Sequence, residues 1–335
     1  MERAMIQERT QHLDRTIRPI PADREEWLAL RRQHIGASEV AALFGAQPAY
    51  AMGIYALWLL KAGRMEPPDV SVERAAWGLR LENAIAEAAA ERAGWRLLPG
   101  VYATCGGLGA TLDRCIAEPT EADRAALGDA ASGPGALELK NVDWLAHREQ
   151  WDGEPPLHIL LQLQAQLLAT GYQWGAIAAL VGGNELRVYR YAARSDVHNE
   201  IRRRVEAFWQ SIAENRPPEP DGSDATYRAL VADAAQDETP IDWSGDDEAA
   251  DLAARYLELS AQIANLTRQR DEARNRLIAK LGGHRNGTAG AYRVRAVYIP
   301  APPAREITPE MVGQKLPGRA ASVRLIVKQQ TETEE

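Results

Sequence analysis

Glu138 and Lys140 stand two apart in the stretch Gly135-Ala-Leu-Glu-Leu-Lys-Asn141. Strand alternation puts Ala136, Glu138 and Lys140 on one face and Leu137 and Leu139 on the other. A carboxylate and an ammonium projecting together can hold Mg²⁺ and steady or deprotonate a water beside a phosphate. The same pattern on a half-exposed strand also serves as a plain solvated ion pair. Asp113, in Leu108-Gly-Ala-Thr-Leu-Asp-Arg-Cys-Ile116, precedes Glu138 by about one strand and a loop. Two adjacent strands would bring both carboxylates to one cation; the alternative is an Asp that ends a strand in a turn. Glu82 falls three residues after Leu79 and three before Ile85, so it shares a helical stripe with apolar residues. A carboxylate there needs a cation or a Lys partner, unless it snorkels from the stripe's margin. Gln162 and Gln166 share a helix face by their i,i+4 spacing and point either at a polar target or at solvent. Arg31 and Ser38 bracket a helix entrance that could hold a phosphate, or act as a surface Arg and a simple N-cap.

The elements that must position these residues alternate between helix and strand. Asp23, with Glu26 three residues later, predicts a helix over Asp23–Gln33, and a short helix is expected from Ser38 to Phe44, stopped by Gly45. Further helices are expected at Ile54–Ala62, Val72–Ala93, Pro156–Thr170 and Val197–Glu214. Strands are expected at Trp95–Leu98, Tyr102–Thr104, Leu108–Ile116, Ala136–Val142, Trp174–Val181 and Leu186–Arg194, with Glu118–Pro134 as a loop. The pattern predicts a mixed α/β domain over residues 15–218, an acidic linker over 219–246, and an appendage over 247–329. The appendage reads as a long helix, Asp247–Leu281, followed by strands Ala291–Ile299 and Ser322–Gln329. Along the helix Leu252, Tyr256, Leu259, Ile263, Leu266, Ala273 and Leu277 keep a 4-3 spacing that Arg270 interrupts.

The 335 residues suffice for a full core, and 45% hydrophobic with 26% charged residues is an ordinary globular balance. No apolar run approaches a membrane span, and the N-terminus is too charged for a signal peptide; a cytoplasmic protein of a bacterial or phage-infected cell is expected. Cys105 and Cys115 lack the spacing of a structural metal site. The net charge of −8 is uneven: residues 1–220 carry −5, residues 221–251 carry −9, and residues 252–335 carry +6. Overall acidity therefore does not exclude DNA, because a metal nuclease must itself collect carboxylates.

Six stretches, taken in order, resemble the YqaJ-type viral recombinase family, to which the lambda-type phage exonuclease belongs, within the PD-(D/E)XK nuclease superfamily. They are Arg24-Glu-Glu-Trp-Leu-Ala-Leu-Arg31, Ile35-Gly-Ala-Ser-Glu-Val-Ala-Ala-Leu-Phe-Gly45, Gly78-Leu-Arg-Leu-Glu82, Ala110-Thr-Leu-Asp113, Leu137-Glu-Leu-Lys140 and Gln162-Leu-Gln-Ala-Gln-Leu-Leu-Ala-Thr-Gly171. The resemblance implies a restriction-endonuclease-like mixed β-sheet core flanked by helices. It implies Asp113, Glu138 and the Leu139 carbonyl as ligands of Mg²⁺, with Mn²⁺ as an alternative, and Glu82 as an outer or second-metal carboxylate. Lys140 would activate water, Gln162 would orient the site, and Arg31 with Ser38 would hold a terminal phosphate. The implied activity is digestion of one strand of linear double-stranded DNA from an end, 5′ to 3′, to expose a single strand for recombination. An endonuclease or nickase, or a non-catalytic scaffold for an annealing protein, is the alternative. A homo-oligomeric ring such as a trimer and a single-strand annealing protein are the implied partners. The chain departs from the family at Ile159, where an aromatic residue is common; His158 or Tyr172 are the candidate substitutes.

Overall fold

The structure is a computed structural model that describes residues 14–65, 72–234, 242, 243, 245–300 and 322–329. The chain divides into two compact units, Met1–Glu238 and Thr239–Glu335. Among the described residues no helix is long and apolar enough to cross a membrane.

The first unit begins with strand β1 (Arg15–Pro19) and helix α1 (Arg24–Arg32), where Asp23 accepts the N–H groups of Glu25 and Glu26. Strand β2 (Ile35–Gly36) leads through a 3₁₀ turn, Ala37–Glu39, into α2 (Val40–Leu43) and α3 (Ile54–Lys61). The long α4 (Val72–Ala93) precedes four strands: β3 (Leu97–Pro99), β4 (Val101–Cys105), β5 (Leu108–Thr111) and β6 (Arg114–Ile116). Helix α5 (Glu121–Leu127), strand β7 (Gly135–Val142) and helix α6 (Trp144–Gln150) follow. The unit closes with α7 (Leu157–Thr170), β8 (Trp174–Val181), β9 (Glu185–Ala192), α8 (Ser195–Ala213) and α9 (Asp224–Ala234).

These strands make two mixed sheets, in the orders β1-β4-β5-β2 and β3-β6-β7-β8-β9. Pairs β2/β5 and β7/β8 are parallel, and the others are antiparallel. The α/β class expected from the element pattern is the observed one. Helix α7 packs against β4, β5, β7 and β8, and so lies against both sheets, while α4 packs on β7, β8 and β9. The side chains sort accordingly. Leu137 and Leu139 join Ile85, Ala86, Ala89, Trp95 and Trp174 in one apolar cluster. Ala136 joins Leu163, Leu167 and the interior of the other sheet. Strand β7 therefore runs through the centre with its two faces committed to different cores, and a one-residue slip would exchange them. Gly135 admits the chain there because a Cβ would lie 2.7 Å from the Trp174 ring. Gly171, at φ +80°, ends α7 by donating its N–H to the Leu167 carbonyl.

Several expectations need correction. The stretch Leu108–Ile116 is not one strand, because the chain leaves one sheet at Thr111 and enters the other at Arg114. The expected loop Glu118–Pro134 contains α5, which Thr120 starts by accepting the Asp123 N–H while the Asp123 carboxylate takes the Thr120 N–H. Helix α9 lies within the acidic stretch expected to be linker.

In the second unit α10 (Asp247–Leu281) is capped by Asp246 and ended by Gly282 in the left-handed region. An antiparallel sheet follows, β10 (Asn286–Ala289), β11 (Tyr292–Ile299) and β12 (Ser322–Gln329), with β11 in the middle. The seam residues Leu252, Tyr256, Leu259, Ile263 and Leu266 are exposed.

Candidate active site

The break between β5 and β6 places Asp113 at the crossover between the sheets. Pairing of β6 with β7 runs from Ile116↔Gly135 to Arg114↔Leu137, so β7 has no β6 partner beyond Leu137. Asp113 occupies that opening, where its Oδ2 accepts the Leu139 N–H at 2.8 Å. The N–H and C=O of one strand residue point to the same side, so the Leu139 carbonyl also faces the Asp113 side of β7.

On the face of β7 toward α7, Glu138 is 2% exposed. Its Oε1 accepts Lys140 Nζ at 2.5 Å and Gln162 Nε2 at 2.6 Å, and its Oε2 accepts Gln166 Nε2 at 2.5 Å. The Gln162 oxygen in turn accepts Lys140 Nζ at 3.1 Å. A carboxylate offers about four lone-pair positions, so roughly one remains open on Glu138. Three donors on its two oxygens offset much of the cost of burying this carboxylate.

Electrostatics divide the acids from the base. Burial and the neighbouring Glu138 charge hold the Asp113 carboxyl well above the usual carboxylate range, against the pull of the Leu139 N–H and Lys140. Glu82, on α4, is raised by burial, with Arg114 opposing and Glu138 adding to the rise. Burial alone would lower the Lys140 ammonium, but the Glu138 charge and hydrogen bond, with help from Asp113, lift it above its ordinary value. Lys140 thus stays a cation and a donor. Arg114 closes the rim, donating to the Asp113 carbonyl at 2.5 Å and to the Asn83 side chain.

Among the described residues no three His, Cys, Asp or Glu side chains converge tightly enough to hold a cation by themselves. Mg²⁺ seldom needs them to, since it commonly takes one or two carboxylates and keeps several waters. The all-oxygen set of Asp113, Glu138 and the Leu139 carbonyl suits a hard cation. Burial first and the Glu138 charge second raise the Asp113 carboxyl, and a cation between the two carboxylates would offset both. Gln166 Oε1 is buried with no donor among the described residues, as an acceptor for a coordinated water would be.

The other expected positions fare unequally. Arg31 stacks on Trp27 with its guanidinium 4.8 Å from the ring centre and pairs with Glu39 at 3.1 Å. Glu39 also pairs with Lys61 at 2.8 Å and accepts the Gly36 N–H at 2.8 Å. The turn entrance is therefore closed by Glu39. Ser38 is exposed inside the 3₁₀ turn rather than capping a helix, which corrects the expected start at Ser38. A route of contacts nevertheless ties Arg31 to Glu138. Trp27 Nε1 donates to Thr111 Oγ1 at 3.3 Å, and the Thr111 carbonyl accepts Gln166 Nε2 at 3.1 Å. Ile159 is buried. Tyr172 turns its hydroxyl to Cys115 Sγ at 3.9 Å, and burial first and Cys115 second push it up to about 12. His158 is near Lys140, whose charge adds to burial in lowering its pKa. Two neighbours were not assigned from sequence: Gln166, signalled by its i,i+4 relation to Gln162, and Tyr50, whose phenol faces the Lys140 charge from a loop without a periodic signature.

Residues 26–173 match the description of the YqaJ-like viral recombinase domain. "Uncharacterized protein YqaJ" of Bacillus subtilis (strain 168) is 26% identical over 288 residues, 81% of this chain and 82% of that protein. Among solved structures, the alkaline exonuclease LHK-Exo from Laribacter hongkongensis is 20% identical over 62% of this chain and 98% of its own, with a TM-score of 0.43, and its complex with dAMP gives 0.44. A putative exonuclease from Eubacterium rectale is 9% identical over 67% of this chain and 97% of its own, with a TM-score of 0.35. The stretch similar to the YqaJ-like viral recombinase domain, residues 26–173, contains Arg31, Glu82, Asp113, Glu138, Lys140, Gln162 and Gln166.

Proposed function

We propose that the chain is a Mg²⁺-dependent deoxyribonuclease, able to use Mn²⁺, that digests one strand of linear duplex DNA from an end in the 5′-to-3′ direction. The single-stranded product would enter recombination, with a single-strand annealing protein as partner and a homo-oligomeric ring, such as a trimer, as the working form. The ring and the annealing partner rest on the family resemblance alone. The observation that carries the catalytic reading is the meeting of Asp113, Leu139, Glu138, Lys140 and Gln162 at the open edge of β7.

In this reading Asp113, Glu138 and the Leu139 carbonyl hold the cation, and Glu82 serves it from the rim. When bound, the cation supplies charge stabilisation for the phosphoryl oxygens and acidifies water. The chain's own groups do the rest. Lys140, hydrogen-bonded to Glu138 and Gln162, positions and activates the attacking water beside the phosphate. Gln162 holds Lys140 through its oxygen and Glu138 through its nitrogen, fixing the angle between them. Arg31 presents a half-exposed guanidinium, braced by Trp27, to a terminal phosphate.

The test compares linear with covalently closed duplex, each with Mg²⁺ and with EDTA. Loss of the linear substrate alone, and only with Mg²⁺, is expected. Cutting of the closed circle would favour an endonuclease or nickase, and no cutting of either would favour a scaffold.

A further inference from the structure

Gln166 sits one helical turn after Gln162 on α7 and is fully buried. Its Nε2 donates twice, to Glu138 Oε2 at 2.5 Å and to the Thr111 carbonyl at 3.1 Å. Both partners are pure acceptors, so the amide nitrogen must face them; the flipped amide would oppose oxygen to oxygen. The Gln166 oxygen has no donor among the described residues. A buried amide with an orphaned oxygen is expensive, and Leu or Met would fill a helix position among Leu163 and Leu167 at less cost. The bonds that the amide makes to the chain all come from its nitrogen.

That nitrogen joins two strands at a decisive place. Thr111 ends β5 two residues before Asp113, and Glu138 lies on β7 in the other sheet. Lys140 and Gln162 hold only Oε1 of Glu138, and one anchored oxygen does not by itself fix the plane of a carboxylate. Gln166 takes Oε2, sets the plane of the carboxylate, and ties that plane to the strand leading into Asp113.

We infer that Gln166 is a positioning residue, which orients the Glu138 carboxylate relative to Asp113 so that both can grip one divalent cation. The inference rests on the metal-dependent reading above. Groups that orient metal ligands in this way typically change affinity about 10–100-fold when removed. Gln166→Leu in the full chain is therefore expected to weaken binding of Mn²⁺ alone, measured calorimetrically without DNA, by roughly that factor. Its kcat on linear duplex should fall and recover in part at high Mn²⁺, while KM for DNA changes less than about twofold. Gln164→Leu is the control. Gln164 lies on the same helix, but its amide bonds the Ala192 carbonyl at 2.9 Å and the Arg194 N–H at 3.0 Å, away from Glu138. It should lower the melting temperature and leave the Mn²⁺ Kd unchanged. Gln166→Met, which refills the slot with an unbranched side chain, is measured alongside in case the leucine variant does not fold. Wild-type Mn²⁺ affinity in either folded Gln166 variant, or an equal loss in Gln164→Leu, would overturn the inference. Failure of the wild-type chain to bind Mn²⁺ would instead overturn the metal-dependent reading itself.

Discussion

Asp113→Asn should stabilise the metal-free protein while abolishing its chemistry. The wild-type carboxylate contributes one good hydrogen bond, from the Leu139 N–H at 2.8 Å, and an asparagine carbonyl can accept the same bond. What disappears is the cost of either charging or protonating a carboxyl in a partly buried place beside Glu138. Burial and that neighbour raise the Asp113 pKa in the fold well above its unfolded value. The folded state therefore keeps a proton where the unfolded chain has lost it. Stability falls as pH rises from the unfolded pKa through the folded one, and it stays reduced above. The substitution removes that slope. Neutralising a functional residue of this kind commonly gains about 1 kcal/mol, which for a unit of this size is roughly 2–4 °C in Tm. A divalent cation should reverse the order. At about 100 times its Kd a ligand adds roughly 2.7 kcal/mol to the form that binds it, and only the wild type keeps both carboxylates. Thermal melts at neutral pH, in EDTA and then in excess Mn²⁺, measure both effects. A variant several degrees less stable than wild type in EDTA, or one with the same Mn²⁺-induced rise, would refute this reasoning.

Lys140→Met leaves the buried Glu138 with only amide donors; it should cost about 2 kcal/mol, the low side for a broken buried pair because the Lys140 side chain is partly exposed, and should eliminate digestion of linear duplex. Asp123→Ala should cost more, about 3 kcal/mol in denaturant melts, because fully buried Asp123 accepts Arg190 at 2.5 Å, Trp95 at 2.7 Å and the Thr120 hydroxyl at 2.7 Å. Burial alone would raise the Asp123 pKa, but these donors outweigh it and hold it below the ordinary value. Its contribution is thus intact above the unfolded pKa and is lost as pH falls through the folded one, so Asp123→Asn should flatten the acid limb of the stability profile. Arg31→Ala should erase any rate difference between 5′-phosphorylated and 5′-hydroxyl duplex ends; a preserved difference would remove Arg31 from end recognition.

The central strand and its helix were legible because their signals were periodic and unopposed. Alternation around Glu138 and Lys140 placed both toward α7, and the apolar run before Gly171 marked α7 itself. Where local pattern and tertiary structure disagreed, the reading failed. Leu108–Ile116 is uniformly strand-like, yet Leu112 gives its N–H to the Val101 carbonyl and Asp113 turns the chain into a second sheet. No one-dimensional pattern announces a change of sheet. Helix α5 hid in an Ala- and Asp-rich stretch, although Thr120 and Asp123 carried a capping pair. Ser38 looked like a cap by type, but the Glu39 carboxylate reaches the Gly36 N–H first. Gln166 was visible only as a neighbour of Gln162. Its importance depends on Thr111 and Glu138 arriving from two sheets, which spacing along the chain does not encode.

Asp113, Glu138 and Lys140 are proposed to form a cation-dependent phosphodiesterase site that works from DNA ends. Its most direct test follows linear duplex labelled at the 5′ or the 3′ terminus through early digestion with Mg²⁺, using wild type and Asp113→Asn side by side. Wild type is expected to release the 5′ label first, EDTA to stop the release, and Asp113→Asn to release neither label. Release by wild type in EDTA, or undiminished release by Asp113→Asn, would contradict it.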